Sequence, residues 1–155
     1  MYIIVSPIYI FDKSGVRMNS VIDEFGQNAG KVWQTLNEKG PLSETKLINF
    51  TLLKDCQIRT AVGWLARENK ICRNGTVYKI GGTNLIEQIG SDAGTIYTIL
   101  LKQQRDIDIF SLSRLSRINV NDVYVAIGWL AREDKIDAKT VMKQKNNQLK
   151  VSLKQ

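Results

Sequence analysis

The side chains able to do chemistry are few and of limited kinds. The 155-residue chain has no histidine. That removes the commonest general base and metal ligand, and with them every Ser–His or Cys–His dyad. Asp106-Ile107-Asp108 brings two carboxylates together, but no helper ligand stands near them, so the segment reads as a loop. Cys56 and Cys72 have no CxxC partner and read as two free thiols of a reducing cytoplasm. Gly26-x-x-x-Gly30 and Gly90-x-x-x-Gly94 do not sit between a strand and a helix of a βαβ unit, so they are neither a P-loop nor a dinucleotide loop. With no metal site, cofactor loop or nucleophile–base pair, the sequence reads as a non-enzyme without cofactor.

What remains is charge. The formal net charge is +7. Lys139, Lys143, Lys145, Lys150 and Lys154 crowd the C-terminal stretch, with no acid after Asp137. Such a run suits an anionic polymer. It equally suits a solvated lysine face that keeps an edge strand from pairing. Candidate contacts to DNA phosphates are Lys54, Arg59, Arg73 and Lys79, and then Arg114, Arg117, Lys139, Lys143, Lys145 and Lys150. No run of about 18 apolar residues occurs, so no membrane partner is expected. Met1 to Phe11 is apolar but lacks a basic start and a cleavage site, which argues against a secretory signal. Residues 1–17 read as an N-terminal extension, with Met18 as an alternative start, and the protein reads as cytoplasmic.

One stretch occurs twice. Ala61-Val62-Gly63-Trp64-Leu65-Ala66-Arg67-Glu68-Asn69-Lys70-Ile71 returns as Ala126-Ile127-Gly128-Trp129-Leu130-Ala131-Arg132-Glu133-Asp134-Lys135-Ile136. Only Val/Ile and Asn/Asp differ. The chain is a tandem duplication, with units expected at 18–84 and 85–155. A lone unit of that size buries only about 60% of its unfolded surface, so the two are expected to share an interface as an intramolecular pseudo-dimer.

Each unit predicts the same elements. An apolar entry leads to Gly26 or Gly90, and Asn28 or Asp92 is then expected as a helix N-cap. The first helix carries a core stripe of Ala29, Val32, Trp33 and Leu36, matched by Ala93, Ile96, Tyr97 and Leu100. Gly40-Pro41 ends the first copy. A short extended piece follows, at Pro41-Leu42 or Ile107 to Ile109, and then a second helix, about 43–50 or 111–117. The third helix holds the repeated motif, with Ile58, Ala61, Val62 and Leu65, or Val123, Ala126, Ile127 and Leu130, facing the core. The apolar period then drops from 3.6 to 2. Asn74-Gly75 marks a hairpin turn, which sets Ile71 opposite Tyr78 with Ile80 on the inner face. A longer second hairpin pairs 136–143 with the stretch around Leu149, Val151 and Leu153, turning near Asn146-Asn147. Helix, strand, helix, turn, helix, hairpin is the order of a winged helix-turn-helix, so the fold class is mainly α with small β-hairpins (α+β).

Gly26-Gln27-Asn28-Ala29-Gly30-Lys31-Val32-Trp33, together with the Gly-Trp-Leu-Ala-Arg-Glu-Asn-Lys-Ile stretch, resembles a small prokaryotic winged helix-turn-helix family of unknown function. The resemblance spans about residues 20–80 and 85–155. It implies the winged-helix fold and, by analogy, DNA binding; it brings no established site. The second unit has Tyr97 where the first has Trp33.

At 100° per residue, Cys56, Thr60, Gly63 and Arg67 fall opposite the core face of the third helix, with Trp64 at the edge. The second copy places Asn121, Val125, Gly128 and Arg132 there, flanked by Tyr124 and Trp129. A base-reading helix should carry Arg, Asn, Gln or Ser at these places. A helical glycine costs roughly 1 kcal/mol against alanine, so its repetition calls for close approach of another backbone. Gly63, Trp64, Arg67, Gly128, Trp129 and Arg132 are therefore candidates for an inter-repeat or partner interface, with the arginines at its rim. The alternative packs each tryptophan only on the wing of its own unit. The leading function is double-stranded DNA binding of the transcription-regulator type, through phosphates at basic wings. The other reading is a protein–protein adaptor.

Overall fold

The computed structural model describes residues 20–143 and 146–155. The proposed extension 1–17 and Lys145 lie outside the described residues, and the side chain of Lys143 is likewise not described. The first unit runs α1 (Val21–Lys39), β1 (Leu42–Ser43), α2 (Glu44–Thr51), α3 (Asp55–Arg67), β2 (Ile71–Asn74) and β3 (Val77–Ile80). The second repeats the order as α4 (Ile86–Gln103), β4 (Ile107–Asp108), α5 (Ile109–Ser116), α6 (Val120–Arg132), β5 (Ile136–Lys143) and β6 (Asn146–Leu153). Each unit closes a small antiparallel sheet, in strand order β1-β3-β2 and β4-β6-β5. The fold is α+β, two winged helix-turn-helix units in tandem.

The predicted third-helix stripes are buried, while Trp33 and Tyr97 of the first-helix stripes are half-buried. Ile58, Ala61, Val62 and Leu65 of α3 are all inside, as are Val123, Ala126, Ile127 and Leu130 of α6. The short second helices start at side-chain caps. Ser43 accepts from the Lys46 amide, and Asp108 from the Ser111 amide. Gly40 ends α1 at a φ of 80°, a conformation open to glycine.

Three local expectations are corrected. The first helix of each unit starts well before Asn28 or Asp92. Ser20 caps α1, its Oγ accepting from the Asp23 amide at 3.1 Å while the Asp23 carboxylate accepts from the Ser20 amide at 3.2 Å. This reciprocal pair nucleates the helix early, and the chain runs through Gly26. Asn28 is therefore a buried mid-helix residue. In α4 the helix likewise passes through Gly90, and Asp92 lies inside it.

The first wing also differs in register. Its turn falls on Gly75-Thr76, with Gly75 at a φ of 64°. Ile71 pairs with Ile80, and Tyr78 pairs with Arg73. Tyr78 is buried beside its β1 partner Leu42, while Ile80, on the same face at the end of β3, is 38% exposed. In the second wing, Asn146 and Asn147 are strand residues opposite Lys143 and Met142.

The two cores are not closed within their own units. Val21 and Phe25, on the early turns of α1, belong to the second unit's core. Ile89 of α4 belongs to the first unit's core. Each first helix thus lends its N-terminal turns to the neighbour.

Candidate functional site

The backbones of α3 and α6 cross at close range. A Cβ added to Gly63 would lie 1.8 Å from the Val125 carbonyl oxygen and 2.9 Å from the Trp129 backbone nitrogen. A Cβ added to Gly128 would lie 1.9 Å from the Thr60 carbonyl oxygen. Only glycine lets two helix backbones come this near. The contacts are reciprocal, as a two-fold relation between the units requires.

The tryptophans flank this crossing. Trp64 lies against Gly26 of α1, where an added Cβ would be 3.0 Å from its ζ2 carbon. Trp129 lies near Gly90 of α4, at 3.9 Å by the same measure. Both indoles pack against both cores. The repeated glycines of the first helices are thus seats for the indoles, which offsets their cost inside a helix.

The arginines close the rim. Arg67 Nε lies 3.3 Å from Glu133, and Arg132 Nε lies 3.2 Å from Glu68. Each glutamate also takes a lysine of its own unit, Lys135 at 3.5 Å and Lys70 at 3.6 Å. Each arginine sits over the opposite unit's indole, Arg67 at 5.6 Å from the Trp129 ring centre and Arg132 at 5.9 Å from that of Trp64. Sequence reasoning singled out the arginines and not their acceptors. The signal was present, since Glu68 and Glu133 directly follow the arginines in the repeated motif.

This arrangement consumes the faces that would enter a major groove. Thr60, Gly63 and Gly128 are buried, and Val125 is half-buried. Of the third-helix positions singled out, Asn121 at the start of α6 and the rim arginines Arg67 and Arg132 are exposed, and Cys56 is half-buried.

The proposed phosphate contacts scatter around the molecule. Arg59 is 18% exposed and paired with Glu44 at 2.9 Å and Asp55 at 3.2 Å, so its charge is spent within the first unit. Lys139 pairs with Asp106, whose carboxyl the lysine holds below the usual range. Arg73 lies on the first wing, its Nε donating to the Gly75 carbonyl and its guanidinium 5.6 Å from the Tyr78 ring centre. Lys54 precedes α3, and Lys79 is exposed on β3. Arg114 and Arg117 are exposed at the end of α5, and Lys150 is half-buried on β6 across from Lys139. Among the described residues, none of Lys54, Arg73, Lys79, Arg114, Arg117 and Lys150 has a carboxylate within ion-pair distance.

Burial pushes the Tyr78 and Tyr124 phenols up, and the Cys56 thiol likewise. Burial raises Asp108, but hydrogen bonds from Ser111 outweigh it and leave the carboxyl below its ordinary value. Among the described residues, no cluster of His, Cys, Asp or Glu is placed to hold a metal ion, and no helix is long and apolar enough to cross a membrane.

Two clefts flank the crossing at related positions. One, of about 460 Å³, lies between the start of α6, the first wing and α4. The other, of about 240 Å³, lies between the start of α3, the second wing and α1.

Comparison with known proteins agrees with the tandem winged-helix fold. The family Winged helix-turn-helix domain (DUF2582) matches the chain twice, over residues 18–80 and 85–153. Uncharacterized protein MJ1608 of Methanocaldococcus jannaschii is 44% identical over 64 residues, which span 37% of this chain and 91% of that protein. No solved structure matches significantly. The chain belongs to the winged helix-turn-helix (DUF2582) family, and it carries that domain in two copies joined back to back through their third helices.

Proposed function

We propose that the protein binds double-stranded DNA through phosphate contacts from its wings and the ends of its helices, with little reading of base sequence. The observation that carries this is the burial of α3 against α6 in a chain of net charge +7. Base readout needs side chains in the major groove, and the faces that would supply them lie against each other. Of the proposed contacts, those without a carboxylate partner among the described residues, Lys54, Arg73, Lys79, Arg114, Arg117 and Lys150, then form the remaining contact set. Contacts of that kind position a protein on a duplex without specifying sequence. The role is one of binding and not of catalysis, in keeping with a chain that has no histidine.

The test is fluorescence anisotropy of a labelled random duplex of ~25 bp at two salt concentrations. Non-specific affinity falls at roughly 10⁻⁴–10⁻⁶ M, and four phosphate contacts give a slope of about −3.6 in log K against log salt. Affinity should be nearly equal across sequences. No binding at low salt overturns the reading.

A second reading, docking of a partner protein, is favoured by one observation. Phe50 and Leu52 are 52% and 87% exposed around the end of α2, and Phe110 and Leu115 are 62% and 49% exposed on α5. Charge placed at these positions should leave duplex binding intact if DNA is the ligand, and abolish partner capture if a protein is.

A further inference from the structure

The smaller cleft has a floor that the fold leaves unfinished. Asn28, in the middle of α1, is only 2% exposed and lines this cleft. Among the described residues, its side-chain amide has no hydrogen-bond partner. Buried amides are almost always bonded, and a helix core would favour an apolar residue here. Beside it, Thr60 is also 2% exposed and lines the cleft. Its hydroxyl donates to the Gln57 carbonyl at 3.0 Å, so its oxygen can still accept from the cleft.

The walls say what would fill the space. Phe25 is buried and Tyr124 is half-buried, both lining the cleft. The floor is uncharged; Lys54 and Glu24 bring one charge of each sign to the lining. At about 240 Å³ the space is below the range of roughly 300–1,000 Å³ for drug-sized ligands, so it suits one or two rings. A carboxamide offers a donor and an acceptor side by side in one plane, the pattern that pairs with the edge of a nucleobase.

We propose that this cleft is a binding site for a small planar heterocycle of nucleobase type, held edge-on by the Asn28 amide and lying along Tyr124. The site is built from both units: α1 and α3 supply Asn28 and Thr60, while α6 and the second wing supply Tyr124 and Leu149. Occupancy therefore favours the closed seam, and the site is independent of any DNA contact. The duplication did not preserve it. The residues corresponding to Asn28, Thr60 and Tyr124 are Asp92, Val125 and Arg59. The second cleft accordingly has Arg59 and Val125 in its walls.

Adenine is the probe, titrated into the ¹⁵N-labelled full chain and followed by ¹H–¹⁵N correlation spectra. The expected result is saturable movement of the Asn28 side-chain amide pair and of the Thr60 and Tyr124 backbone amides. Purine, which lacks the exocyclic amine, should bind at least about tenfold more weakly. Asn28→Leu removes the orphan amide at similar volume. It should melt at or above the wild-type temperature and lose the adenine response. If it fails to fold, Tyr124→Leu gives the same test from the wall. Asp92→Asn should leave adenine binding unchanged. Absence of saturable shifts at millimolar adenine would mean the cleft holds water only and would overturn the proposal. So would undiminished adenine binding by either Asn28→Leu or Tyr124→Leu.

Discussion

Adding one methyl group at the crossing of α3 and α6 should separate the units. In Gly63→Ala the new Cβ would start 1.8 Å from the Val125 carbonyl oxygen, against 3.4 Å for ordinary contact. The helices must therefore move apart by about 1.6 Å, the difference of those two distances. The obstructing atoms are backbone, so no side chain can swing away. Overpacking of this kind costs about 1–3 kcal/mol, and a rigid neighbour puts it near the top of that range. The alanine returns roughly 1 kcal/mol of helix propensity. The net loss is about 2 kcal/mol, which at 2–4 °C per kcal/mol lowers the melting temperature by about 4–8 °C. The control is built into the sequence. Gly30 and Gly94 are also helical, but nothing lies within 4 Å of a Cβ added to either. Gly30→Ala and Gly94→Ala should stabilise by up to about 1 kcal/mol. Thermal unfolding by circular dichroism reads all three. A Gly63→Ala protein that melts higher than wild type, alongside the controls, would refute the close crossing.

Arg67→Ala and Glu133→Ala, combined in a double-mutant cycle, should show a coupling of about 0.5–1 kcal/mol, because Arg67 is 45% exposed and the pair is screened. Zero coupling would remove the pair from the seam. Trp64→Ala should cost about 3 kcal/mol and perturb the second unit's resonances as well as the first's, since the indole touches both cores. Asp108→Ala should cost about 1 kcal/mol through loss of the α5 cap. Asp108 has a folded pKa below its unfolded one, so its contribution is present above the unfolded value, about 3.9, and fades as pH falls through the folded value. Asp108→Ala should therefore lose its deficit relative to wild type in strong acid, measured by denaturant unfolding at two pH values. Substituting Arg73 and Lys79 together by alanine should reduce the salt slope of duplex binding by about 2 if both touch phosphate.

Much of the architecture is carried by local features of the sequence. The Gly-Trp-Leu-Ala-Arg-Glu duplication sets the number of units. The 3.6-residue spacing of Ile58, Ala61, Val62 and Leu65 sets the core face of α3, and Ser43 and Gly40 mark their helix ends. These are local properties, decided by side-chain periodicity and capping within a few residues. The misplaced starts of α1 and α4 had the same local logic but lacked the partner. Gly26 reads as a break because its cost is visible in the sequence, while the indole of Trp64 that offsets it arrives from 38 residues away. The first-wing register failed because Asn74 pairs with Val77, so the turn falls one residue later than Asn74-Gly75 suggests and Ile71 meets Ile80 in place of Tyr78.

By itself the sequence determined two winged-helix units and a repeated glycine that needed a close neighbour. Only the tertiary structure decided which backbone that neighbour is, that Glu68 and Glu133 receive the arginines across the seam, and that Val21, Phe25 and Ile89 cross into the opposite core. It also decided that Asn28 lies buried in a helix beside a cleft and not at a helix start. Periodicity and capping act over one or two turns of chain, so they can be read in order. Contacts between units depend on how two finished surfaces meet, and no run of adjacent residues encodes that.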